Sequence, residues 1–93
     1  MLGEGRTERD MARYLKLDEV ASELALTLGS NCKKRRAELG MSQAELAERS
    51  GVAASHLSHI EQGKANPTLE VLQQLAEGLQ TTVLALLAGP GEG

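Results

Sequence analysis

Phenylalanine and tryptophan are absent from this sequence, and Tyr14 is its only aromatic residue. The apolar fraction of 41% therefore comes almost entirely from Leu, Ala, Val, Ile and Met, a composition that forms helices. The single cysteine, Cys32, excludes an internal disulfide, and its place in an apolar helical pattern suits a small buried hydrophobe. A reducing, intracellular setting fits such cysteine usage. Long hydrophobic runs are also missing: no stretch approaches the roughly 18 apolar residues of a membrane span. The start, MLGEGRTERDMARYLK, has no continuous apolar region of the kind a secretory signal carries, so a cytoplasmic protein with no membrane partner is expected. No alternating pattern marks a strand. No nucleophile, base and orienting acid stand at workable positions, and no glycine loop could cradle a phosphate, so no enzyme and no cofactor are expected. With 93 residues there is length for one small domain.

What the sequence does carry is unevenly spread. The net charge is -3, yet residues 28–66 hold six basic and four acidic side chains, a balance of +2, while residues 1–27 stand at -2 and residues 67–93 at -3. The middle is the basic part. Thr7 suits a helix cap, with Met11, Tyr14, Leu15 and Leu17 giving a rough apolar side. Asp18 offers a second cap ahead of Val20, Ala21, Leu24 and Leu28 at helical spacing. That helix is expected to run, continuous or slightly bent, through Gly29-Ser30 to a boundary at Gly40.

Beyond Gly40 the punctuation sharpens. Ser42-Gln43-Ala44-Glu45 is a capping box, in which hydroxyl and carboxylate satisfy each other's orphan amides. Gly51 ends that helix at a position suited to the left-handed conformation. A third helix is expected over about Ala53 to Gln62. A fourth should follow Asn66-Pro67-Thr68, with Leu69, Leu72, Leu75, Ala76 and Leu79 on its apolar face, and a short final helix should follow Thr81-Thr82. At 100° per residue the third helix gathers Ala53, Leu57 and Ile60 on one side. Ala54, Ser55, Ser58 and His59 gather on the other, near Gln62. Two short helices joined at a glycine, the second with a small and uncharged outer face, form the pattern of a helix-turn-helix, where one helix crosses the phosphate backbone and the next enters the major groove.

These residues resemble the Cro and phage-repressor class of helix-turn-helix domains, the XRE family, over roughly Leu28 to Leu87. The cues are ordered: Gly40, the S-Q-x-x-L-A from Ser42, Gly51-Val52, the L-S-x-I-E-x-G from Leu57 to Gly63, Asn66-Pro67, and a leucine-rich last helix. The resemblance implies an all-α, five-helix lambda-repressor-like domain with an extra N-terminal helical extension. Residues 1–27 would be that extension, 28–88 the DNA-binding domain and 89–93 a disordered tail. It further implies a sequence-specific transcriptional regulator of double-stranded DNA, a repressor working as a homodimer on a palindromic operator. Ala53, Ala54, Ser55, Ser58 and His59 would lie close to bases. Gln43, Lys64 and Asn66 would hold phosphates. Arg36 and Glu61 would form a buried ion pair tying the first helix to the third. Departures from the family pattern stand at Ala53, where relatives carry a Ser or Thr cap, and at Ala54, His56 and His59.

Several residues carry a second reading. His56, His59 and Cys32 form a weak metal set, because His59 points outward and Cys32 inward, so no metal is expected. The run Lys33 to Arg36 reads first as a solvated helical face whose members project in different directions, with at least one reaching phosphate. The apolar positions Tyr14, Leu15, Val20 and Leu24 suit a dimer or partner interface. The acidic balance of residues 1–27 and the weak recognition face favour an alternative function, an antitoxin whose residues 1–27 bind a toxin as protein partner. A restriction-modification controller protein is a further alternative.

Overall fold

A computed structural model gives the fold and describes residues 22–89. Among them are five helices and no strand. Helix α1 is helical over residues 22–38, and α2 (Gln43–Ser50), α3 (Ala54–Glu61), α4 (Leu69–Gly78) and α5 (Val83–Leu87) follow. The helical segment expected from Thr7, the cap at Asp18 and the remainder of the extension up to residue 21 lie outside the described residues, as do residues 90–93. Among the described residues no helix is long and apolar enough to cross a membrane.

Helix α1 passes unbroken through Gly29-Ser30 for a packing reason. Gly29 sits where α1 crosses the end of α3: a Cβ there would run into the Ile60 carbonyl oxygen and stand 3.0 Å from that of Glu61. The expected domain boundary between residues 27 and 28 thus falls inside a helix rather than between elements. The chain then turns at Gly40, and the Met41 amide bonds back to the Arg36 carbonyl at 3.0 Å.

The core collects one to three side chains from each helix. Leu28 and Cys32 come from α1, Leu46 from α2, Leu57 and Ile60 from α3, Leu72, Leu75 and Ala76 from α4, and Leu86 from α5. Met41, Val52 and Leu79 join them from the turns. Truncating a fully buried leucine such as Leu46 or Leu57 would cost about 2 to 5 kcal/mol. Helix α2 packs on both α3 and α4, and on α4 closely: Gly78 faces Ser50 and Leu46 so that a Cβ there would lie 3.1 Å from the Ser50 Cβ.

Two expected inward positions, Leu69 and Ala53, are corrected. Leu69 is 80% exposed, because it is the first residue of α4 and precedes the face that meets the core. Leu24, expected at an interface and not in the core, is 43% exposed on α1. Ala53 does not join Leu57 and Ile60 inside. It is the extended residue before α3, so helical spacing does not apply to it, and it is exposed.

Candidate nucleic-acid interface

The start of α2 is built by its capping box. The Ser42 hydroxyl accepts from the Glu45 amide at 3.1 Å, and the Glu45 carboxylate accepts from the Ser42 amide at 3.0 Å. Two of the four orphan donors of the helix start are thereby used. The amides of Gln43 and Ala44 find no acceptor among the described residues, so this end presents two free N–H groups and the positive end of the helix dipole.

The turn into α3 is set by two residues. Gly51 adopts φ 77°, ψ 9°, and its amide closes on the Ala47 carbonyl at 2.9 Å. The buried Ser50 hydroxyl accepts from the Val52 amide at 3.1 Å, leaving no polar orphan under the turn. Helix α3 then starts without a side-chain cap, since Ala53 has no hydroxyl. On the outer face Ala54, Ser55 and His59 are exposed, as is Ala53 ahead of the helix, while Ser58 is half-buried and His56 is half-buried at the edge of the core. The Ser58 hydroxyl accepts from Gln62 Nε2 at 3.0 Å. After α3 the chain turns at Gly63, with φ 74°, and leaves Lys64 and Asn66 exposed in the loop before Thr68, which caps α4.

One carboxylate joins three helices. Glu61, the last residue of α3, receives Arg36 Nε at 2.8 Å on one oxygen and Arg36 Nη2 at 3.0 Å on the other, a bidentate fork from α1. The side chain of Gln43, the first residue of α2, also bonds it, with Nε2 donating at 2.9 Å. Arg36 Nη1 is spent on the Met41 carbonyl at 2.9 Å. The Glu61 side chain is only 3% exposed. Burial pushes its carboxyl up, but the bonds from Arg36 and Gln43 and the charges of Arg36 and Lys33 outweigh that and hold it below the usual range. The Gln43 side chain expected at a phosphate is therefore engaged with Glu61, while its main-chain amide remains free.

Sequence reasoning missed two roles in α1. Asn31 Nδ2 donates to the carbonyls of Leu86 and Ala88, both at 2.9 Å, and so closes the end of α5. Arg35 does the same for α4, with Nε to the Leu79 carbonyl at 2.9 Å and Nη2 to that of Gln80 at 3.1 Å. Half of the basic run is thus structural: Arg35 and Arg36 face inward partners, while Lys33 and Lys34 are exposed. A polar residue three positions from a core residue, as Asn31 is from Leu28 and Arg35 from Cys32, was the faint signal available. Burial pushes the Cys32 thiol up to about 12, helped by the Glu61 charge. Among the described residues, no group of three His, Cys, Asp or Glu side chains could hold a metal.

Set beside known proteins, residues 33–86 match the sequence profile of the HTH_3 helix-turn-helix family. The chain is 37% identical over 65 residues to an uncharacterized HTH-type transcriptional regulator, y4dJ, of Sinorhizobium fredii, a match covering 70% of this chain and 84% of that protein. It is 41% identical over 61 residues to the HTH-type transcriptional regulator SinR of Bacillus subtilis, covering 64% of this chain and 55% of SinR. Among solved structures it resembles the restriction-modification controller protein C.Esp1396I, seen as a tetramer on its natural 35-base-pair operator. That likeness has a TM-score of 0.63 and 30% identity, over 68% of this chain and 83% of the other.

Proposed function

Because this chain belongs to the HTH_3 helix-turn-helix family and is a DNA-binding transcriptional regulator by that membership, we propose that it is a repressor, binding a palindromic operator as a homodimer. The observation that carries the reading is the outer face of α3, small and uncharged, locked through Glu61 to the free amides at the start of α2. In this arrangement α2 lies across the phosphate backbone at Gln43, and Lys64 and Asn66 grip it from the loop after α3. Ala53, Ala54, Ser55, Ser58 and His59 lie against base edges in the major groove. Phosphate contacts set the register and the α3 face reads sequence.

A dimer supplies the second half of the operator, with recognition helices about 34 Å apart. The large apolar side chains left on the surface, Leu69 at 80% and Leu84 at 82% exposed, with Leu26 at 60%, support a second copy as their cover. The operator-bound tetramer of the controller protein supports an oligomeric working form.

The test is a fluorescence-anisotropy titration against the chain's own promoter DNA and a scrambled duplex at two salt concentrations. Tight binding to the promoter alone, weakening with salt, is expected. Equal, weak binding to both duplexes would refute a stand-alone repressor. Gln43→Ala should weaken binding to every sequence alike, and a loss confined to one operator position would contradict the phosphate-side assignment of α2.

A further inference from the structure

The Gln43 side chain touches Glu61, and this contact carries an inference that rests on the reading just given. Gln43 is the first residue of α2, Glu61 the last of α3, and the bond between them, Nε2 to Oε1 at 2.9 Å, spans the two halves of the helix-turn-helix. The carboxylate that accepts it is almost wholly buried and held from the other side by Arg36 of α1. An ionised acceptor fixes the amide with its NH2 end turned toward Glu61, leaving one further side-chain donor. The main-chain donors of Gln43 and Ala44 stay open at the same helix start. The side chain is therefore placed to set where those open amides stand relative to α3, a task distinct from gripping DNA itself.

We infer that Gln43 is a positioning residue for DNA binding. Its side chain works through Glu61 to fix the start of α2 against the end of α3, and the main-chain amides of Gln43 and Ala44 take the phosphate. The separation between that phosphate and the bases under α3 is then held by a side-chain bond instead of by the backbone turn alone.

The test is a cycle of variants of the full chain, read as affinity for promoter DNA. Gln43→Leu removes the bond at similar bulk and should lower affinity about fivefold, the lower end of coupling between sites. Arg36→Leu with Glu61→Leu replaces the partner by an apolar pair, an exchange that buried ion pairs often tolerate. In that background Gln43→Leu should change affinity by less than about twofold, since its acceptor is already gone. If Gln43→Leu still costs the full factor there, the side chain grips DNA directly and the inference is overturned. Should the apolar background fail to fold, the Gln43 side-chain amide signals in a nitrogen–proton spectrum of the unaltered chain decide. Signals undisturbed by adding DNA support positioning, and a large shift overturns it. Failure of the unaltered chain to prefer its promoter over a scrambled duplex would instead refute the repressor reading itself.

Discussion

Replacing Arg36 by leucine should be among the most damaging single changes available to this domain, and its cost should depend on pH in a distinctive direction. The substitution strips Glu61 of its bidentate fork and leaves it only Gln43, on a side chain 3% exposed. Breaking a buried pair from one side costs about 3 to 5 kcal/mol, because an uncompensated charge stays inside. Arg36 is itself 17% exposed, so the lower end of that range, about 3 kcal/mol, is expected at pH 7. In the unaltered protein the Glu61 carboxyl is held below its usual value, so its contribution is present above the unfolded value of about 4.3 and fades as pH falls through the folded one. In the variant burial dominates and the carboxyl rises above 4.3. Its penalty is then fully present well above the raised value and shrinks as the pH is lowered toward 4.3, since protonation removes the buried charge. The difference between the two proteins should thus narrow between pH 7 and pH 5. Urea unfolding followed by far-ultraviolet circular dichroism measures it, the absence of tryptophan leaving no indole signal. A difference below about 1 kcal/mol at pH 7, or one that widens toward pH 5, would refute the reasoning.

Three other changes test separate parts of the fold by the same unfolding measurement. Ala53→Ser supplies the side-chain cap that α3 lacks and should stabilise the domain by about 0.5 to 2 kcal/mol, with no gain counting against the helix start described. Gln80→Gly relieves a left-handed residue, φ 56°, at the end of α4 and should raise stability by about 1 kcal/mol, because the Arg35 bond there goes to a main-chain carbonyl that glycine keeps. Gly29→Ala pushes a methyl into the Ile60 carbonyl and should destabilise by about 1 to 3 kcal/mol; an unchanged midpoint would mean that α1 can lift away from α3 without cost.

Much of this architecture was legible from local chemistry. The capping box at Ser42, the glycine at 51 and the threonine ahead of α5 each announce themselves within four residues of chain, and all three form the contacts their types imply. The inward spacing of Leu57 with Ile60 and of Leu72 with Leu75 and Ala76 was equally plain. Misreadings came at helix starts: Ala53 precedes α3, where 100° per residue has no meaning, and Leu69 is the first residue of α4, ahead of the turns that meet the core. Long-range contacts were the other gap. Nothing local says that Asn31 closes α5 across 55 residues, that Arg35 closes α4, or that Gly29 is small to admit the end of α3. The residues proposed to meet bases and phosphates are those the family pattern implies; the engagement of Gln43 with Glu61 is not, and needed the fold to bring positions 43 and 61 together.

The buried thiol of Cys32 gives the domain a clock. With no exposed surface and an ionisation pushed up to about 12, the sulfur cannot react with an alkylating reagent at neutral pH while α1 is seated. Labelling requires α1 to leave α3, and because α1 also closes the ends of α4 and α5, that departure releases three elements at once. The rate of alkylation at saturating reagent would therefore count how often the whole domain opens, molecule by molecule, under conditions where every equilibrium probe reports it fully folded.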